Sequence, residues 1–187
     1  MTDPVALNVE GLDQLLARMD NINYDLRKKG GRFAMRKAAN LIRDKAKENA
    51  KQIDDPVSAE DISANIAVRF SPKEFRQTGD LVFRVGVMGG AGGRRKTEAF
   101  SGLPGGDTRH WRHIEFGRDA IRAQGGGILA NPQAGEFFGK EVGPAPAQPF
   151  MRRSLSESVQ AATDEFITQY NRALDRALRK QAREAGA

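Results

Sequence analysis

The stretch from Phe150 to Arg183 constrains this chain more than any other. Leu155, Val159, Ala162, Phe166, Ile167, Tyr170, Leu174, Ala177 and Leu178 recur there at spacings of three and four, so they share one face of a helix. At 1.5 Å per residue such a helix is roughly 50 Å long. The expectation is that its first half packs within the chain and that its later part is left for a partner. Pro149 suits the first helical turn, where its missing N–H costs nothing. The prolines at 144, 146 and 149 make the segment before it an extended, stiff connector.

A second long helix is predicted from about Tyr24 to Gln52. Leu26, Phe33, Ala34, Ala38, Leu41, Ile42 and Ala46 form its apolar side, and Gly30-Gly31 suggests a kink. The other side is strongly basic. Arg27, Lys28, Lys29, Arg32, Arg36, Lys37, Arg43, Lys45, Lys47 and Lys51 face only Asp25, Asp44 and Glu48. Ten cations less three anions is +7, more than the net +6 of all 187 residues. Asp54-Asp55-Pro56 ends the helix. Ahead of it, Val5–Val9 suits a short edge strand, and Leu12, Leu15, Leu16 and Met19 suit a helix opening at Gly11.

Between the two long helices the periodicity changes to two. Ile66, Val68 and Phe70 alternate with Ala67 and Arg69, and Leu81, Phe83, Val85 and Val87 alternate likewise. Gln77-Thr78-Gly79-Asp80 reads as the turn before the second run. From Gly89 to Gly143 the chain holds fourteen of its twenty glycines. Gly89–Lys96 and Gly125-Gly126-Gly127 read as loops, with Thr108–Phe116 an ordered island between them. The predicted fold is therefore α+β. A small antiparallel sheet packs against long helices, with extended glycine-rich loops and a long C-terminal helix, all in one domain over 1–187. Within it, 1–56 supplies the first strand and helices, 57–88 the strands, 89–143 the glycine-rich arms, and 144–187 the connector and last helix.

No pattern of catalytic residues accompanies this fold. With no cysteine, disulfides and thiolate-bound metals are excluded. His110 and His113 could share a helix face near Glu115, but no third strong ligand is evident, and a metal-dependent hydrolase is the weakest of three functional readings. Gly89–Gly93 follows a strand as a phosphate loop would, yet no Lys-Ser or Lys-Thr pair follows it at P-loop spacing. No Gly-x-Ser-x-Gly elbow occurs. The expectation is a protein with no catalytic, cofactor-binding or metal-binding residues and no small-molecule substrate. Met1-Thr2-Asp3-Pro4 does not open a secretion signal, and no apolar run approaches the ~20 residues of a membrane span, so a cytoplasmic protein is expected. The basic helix allows non-specific contact with nucleic-acid phosphates, through Arg32, Arg36, Arg43 and Lys47. Alanine rather than aromatic residues interleaves those charges, which favours a solvated or protein-facing surface over a dedicated nucleic-acid reader.

Two separated segments carry a resemblance. His113-Ile114-Glu115-Phe116-Gly117 is followed by Pro144-Ala145-Pro146-Ala147-Gln148-Pro149-Phe150-Met151-Arg152-Arg153-Ser154-Leu155. Gly11–Leu15 and Thr78-Gly79-Asp80-Leu81 precede them. In this order the motifs resemble the tailed-phage tail-completion and head-tail joining proteins named for the gene-10 product of a lambda-like phage. The chain departs from that pattern in two long inserts, Gly89–Asp107 and Ala120–Val142, and in Arg118 after Glu-Phe-Gly.

The resemblance implies a virion structural protein at the head–tail interface, completing or terminating the tail tube as a ring of identical subunits, six being one option. Tail tube protein and head-closure or connector proteins would be its neighbours, and genomic DNA would pass its basic side. Arg94, Arg95, Trp111, Glu115, Phe116, Phe150 and Arg152 are the candidate subunit-interface residues. Arg32, Arg36, Arg43 and Lys47 are the candidate lumen-facing ones.

Overall fold

The computed structural model describes residues 24–53, 60–88, 102–131 and 135–185. The expected strand at Val5–Val9, the helix from Gly11, the stop at Asp54-Asp55-Pro56 and the loop Gly89–Lys96 lie outside the described residues. The protein is α+β. In chain order its elements are α1 (Tyr24–Lys51), α2 (Ile62–Asn65), β1 (Ile66–Phe70), α3 (Pro72–Thr78), β2 (Phe83–Val87), α4 (Trp111–Phe116), β3 (Ile121–Arg122), β4 (Leu129–Asn131), β5 (Glu136–Gly139), β6 (Glu141–Val142) and α5 (Phe150–Ala185). They form two compact units. Of the described residues, one unit takes in those up to Lys45, Ala67–Gly86 and those from Leu155 onward, and the other those within Ala46–Ile66 and Val87–Ser154.

In the first unit, Ala34 of α1 packs with Tyr170 and Leu174 of α5, and Phe166 joins them. The Phe166 and Tyr170 rings stack with centroids 5.6 Å apart. Gly30 and Gly31 serve this packing. α1 is continuous across them. A Cβ at Gly30 would sit 3.0 Å from the Ala173 Cβ and 3.4 Å from the Tyr170 ring, and one at Gly31 would sit 3.0 Å from Leu81. The missing methyl groups let α5 approach closely, which offsets the cost of glycine in a helix. This geometry also corrects the expected apolar side. With Gly30, Gly31 and Ala34 buried, Phe33 and Leu41 fall on the flank and are exposed. In α5, Ser158 and Ala162 are buried while Leu155 is exposed.

β1 and β2 form a two-stranded sheet. At one end the Ser71 N–H donates to the Val82 carbonyl and at the other the Met88 N–H donates to the Asn65 carbonyl, each at 2.9 Å, so the strands are antiparallel. Where the sequence suggested a bare turn, α3 fills the connection. Pro72 stands in its first turn, and Gly79, at φ 82°, is a left-handed cap whose N–H returns to the Phe75 carbonyl. Phe70 packs against Phe75 and Phe83 with centroids 5.8 and 5.3 Å away. The Arg32 guanidinium lies 4.2 Å from the Phe70 ring centre, which joins the sheet to α1.

The second unit contains paired strands where the sequence suggested only loop. Arg118 and Ala145 exchange two backbone hydrogen bonds of 3.0 Å. Beyond them Ile121 pairs with Val142, and Arg122 with Glu141. Further out, Leu129 pairs with Gly139, Ala130 with Phe137 and Asn131 with Glu136, with a bulge after Leu129. The result is one long antiparallel ribbon. Its ladder is interrupted near Gly125 and Gly126, whose φ values of 64° and 77° suit glycine. Ile121, Ile128, Phe137 and Phe138 on the ribbon are all exposed.

Candidate assembly site

The second unit also brings the two resemblance-bearing segments together. Pro149 stands one place before the first helical turn, and its carbonyl accepts from the Arg153 N–H at 3.1 Å, which makes it the N-cap residue of α5. Proline has no side-chain acceptor to offer the orphan N–H groups that follow. Glu115 of α4 supplies one instead. Its carboxylate, only 1% exposed, accepts from the Met151 N–H at 2.8 Å and the Arg152 N–H at 3.1 Å. The Arg152 side chain closes the contact, donating from Nε to the carboxylate at 3.0 Å and from Nη2 to the Glu115 carbonyl at 2.6 Å. The anion also meets the positive end of the α5 dipole.

Neighbouring residues fix the same latch. The Gln148 N–H donates to the Ile114 carbonyl at 2.7 Å. Gly117 has φ 74° and ψ 177°, and a Cβ there would lie 2.9 Å from the Ala145 carbonyl oxygen and 3.0 Å from the Ala147 nitrogen. Both the dihedral and the space require glycine after Glu115-Phe116. Phe150 is buried, with Trp111 edge-on to it at 6.5 Å. Phe116 is exposed, and the Arg152 guanidinium lies 5.2 Å from its ring centre. Among the described residues the Trp111 Nε1 finds no hydrogen-bond partner. Asn49, Ile53, Gln148, Pro149, Phe150 and Arg153 line a groove of about 260 Å³ beside the latch.

A second polar knot holds the chain just before α4. Asn65, fully buried, donates through Nδ2 to the Gly106 carbonyl at 2.9 Å and to Thr108 Oγ1 at 2.8 Å, while its Oδ1 accepts from the Gly105 N–H at 2.9 Å. Gly105 is pressed so close to the Asp61 carbonyl that a Cβ would lie 1.9 Å from its oxygen. Asp61 caps α2 through the Ala64 N–H, and its carboxyl is held below the ordinary 3.8 chiefly by a hydrogen bond from Ser63. Nearby, the Arg109 guanidinium holds the Asp107 carboxyl below its usual range. Sequence reasoning missed Asn65 and Gly105. Nothing in one sequence marks a buried asparagine in the step between a short helix and a strand.

The expected interface residues therefore divide. Trp111, Glu115, Phe116, Phe150 and Arg152 converge on one latch, with Glu115 and Phe150 inside and Phe116 and Arg152 outside. Arg94 and Arg95 lie outside the described residues. Arg32, Arg36, Arg43 and Lys47 fall within about 60° of each other around α1 at 100° per residue. Arg32 and Arg36 are exposed, but Arg43 and Lys47 are half-buried, in the half of α1 where Ala46 and Ala50 are buried. Arg43 is also paired with Asp44 at 2.7 Å. His110 Nδ1 lies 3.7 Å from Glu60, and among the described residues no group of three His, Asp or Glu side chains could hold a metal ion. No helix among them is long and apolar enough to cross a membrane.

Fold and latch together define an α+β protein whose buried polar groups serve to fasten its own backbone, leaving an aromatic ribbon and a basic helix face outside. Residues 13–117, more than half the chain, match the family model described as "Bacteriophage HK97-gp10, putative tail-component". The chain belongs to this HK97-gp10-like family, and so is a phage tail-associated structural protein that contacts other phage structural proteins. No curated protein and no solved structure matches it. The family match stops at Gly117, so it takes in the Glu115 half of the latch and leaves out the Arg152 half.

Proposed function

We propose that this protein sits at the head–tail interface of a tailed phage, where it completes or terminates the tail tube as a ring of identical subunits and offers the surface on which the head is joined. The ribbon from Arg118 to Ala145 is the observation that carries this reading. A two-stranded ribbon is marginal in water by itself, and one bearing Ile121, Ile128, Phe137 and Phe138 in the open is suited to being covered by neighbours. Trp111, Phe116 and Arg152 add a rigid contact surface, braced from behind by Glu115 and Phe150. Tail tube protein on one side and head-closure protein on the other are the partners. The work is done by contact, without catalysis, cofactor or metal, in a virion component assembled in the host cytoplasm. Sedimentation of the purified protein and mass spectrometry of purified particles test this: a ring, and the protein in mature tails, are expected. A chain that stays monomeric and is absent from particles overturns the proposal.

The exposed cations Arg32 and Arg36 favour a second reading, non-specific contact with DNA phosphates, either in the channel of such a ring or as an accessory nucleic-acid-binding protein. Binding to DNA that falls steeply with salt supports it, and no binding at low salt removes it.

A further inference from the structure

Apart from the latch, the described residues form two exposed apolar features, and their chemistries match. The first is the distal ribbon. From Ala123 to Gly139 the chain has a single charged residue, Glu136, and no cation. Phe137 is 77% exposed there, more than any other large hydrophobic side chain among the described residues. An open ribbon of this composition is an aggregation hazard unless something covers it. The second feature lies in the first unit. Lys29, Gly30 and Phe33 of α1 and Ala173, Arg176 and Lys180 of α5 line a groove of about 300 Å³. Its floor is glycine, alanine and the exposed Phe33 ring, and its rim is three cations.

We infer that Phe137 of one subunit docks into this groove of the next subunit, so that the ribbon is the arm that links neighbours. This rests on the ring reading and names the contact that would close the ring. Three observations support a second copy of this chain as the occupant. Size is compatible, since an apolar cavity of about 150 Å³ takes a benzene molecule, so about 300 Å³ admits a phenyl ring with adjoining backbone. Charge is complementary, because the arm brings no cation and the rim brings three. The rim also suits an aromatic guest: Lys and Arg favour ring faces, and this chain already places Lys28 4.6 Å from the Phe75 centroid and Lys37 5.8 Å from that of Phe33. Arm and groove are different patches, so the contact is heterologous, the type that closes into rings.

The absence of cysteine makes the test clean. Full-length Phe138→Cys protein, which keeps the Phe137 ring, is mixed with full-length Arg176→Cys protein, and separately with Lys180→Cys, under mild oxidation. Mixed disulfide dimers are expected to form at least about ten-fold faster than with the control Lys73→Cys, because docking raises the effective concentration. Phe137→Ser in the same chain as Arg176→Glu is expected to shift wild-type oligomer to monomer in sedimentation. If the oligomer forms but Phe138→Cys links no faster to either groove position than to the control, this inference falls while the ring stands. Linking of Phe138→Cys chiefly to itself places arm on arm and overturns it too. A full-length protein that stays monomeric at every concentration overturns the ring and the arm together.

Discussion

The sharpest consequence of the latch is an order of damage among three substitutions. Glu115→Ala removes the acceptor of two otherwise orphan N–H groups, Met151 and Arg152, together with a buried carboxylate. Loss of an N-cap costs about 0.5–2 kcal/mol, and a hydrogen bond to a charged group contributes about 1.5–3 kcal/mol. Part is recovered when water reaches the freed amides, so the expected loss is about 2–4 kcal/mol. Glu115→Gln keeps the shape but turns an NH₂ group toward a donor, for about 1–3 kcal/mol. Arg152→Ala leaves both backbone bonds in place, and the Arg152 side chain is 59% exposed, so solvent screens its charge and about 1 kcal/mol or less is lost. With a urea slope of about 2 kcal/mol/M, Glu115→Ala lowers the midpoint by roughly 1–2 M and Arg152→Ala by under about 0.5 M. Hydrogen exchange adds a local readout, since the Met151 and Arg152 amides lose protection first in Glu115→Ala. If Arg152→Ala proves as damaging as Glu115→Ala, or if those amides stay protected without the carboxylate, the capping argument is wrong.

Three further outcomes follow from the geometry. Gly30→Ala should destabilise by about 1–3 kcal/mol despite its gain in helix propensity, because its methyl meets Ala173 at 3.0 Å, whereas Gly86→Ala, with open space around it, should be close to neutral in the same melts. Asp61, Glu74 and Asp107 are held below their ordinary values of 3.8, 4.5 and 3.8, by hydrogen bonds from Ser63, Ser71 and Arg109 respectively. Folded values below unfolded ones mean that their stabilisation is complete above about pH 4.5 and is lost as the pH falls through the folded values; a urea midpoint that stays flat from pH 6 to pH 3 would contradict this. If DNA binds, Arg36→Ala should lower the slope of log affinity against log salt by about 1, and Arg43→Ala by less, since Arg43 is engaged with Asp44.

Periodicity made both long helices and the β1–β2 pair legible, because a burial pattern repeated over many residues outweighs local exceptions. It was less reliable about which side of α1 is inside. Phe33 and Leu41 look like core residues until Gly30 and Gly31 are understood as contact surface, since close helix approach buries the smallest residues and leaves the large ones beside them. The ribbon was hidden by its glycines. Its strands are two to four residues long, too short for an alternating pattern, and pairing rather than propensity holds them. In the candidate site, the resemblance picked out Glu115 and Arg152 as relevant. That the two touch, 37 residues apart, is a property of the fold and not of any spacing.

The latch has a consequence for the continuity of the chain itself. Residues 132–134 separate the chain into an earlier and a later portion, and several of the fastenings described above tie one portion to the other. Glu115 with Met151 and Arg152, Ile114 with Gln148, Arg118 with Ala145, and Gly30 with Ala173 all cross the divide. The covalent link between them is therefore not what holds the two portions in register. A chain severed there should behave as a complementing pair, with two polypeptides that find each other and rebuild one fold. Co-expression of the portions and co-purification through a tag on one of them would show it.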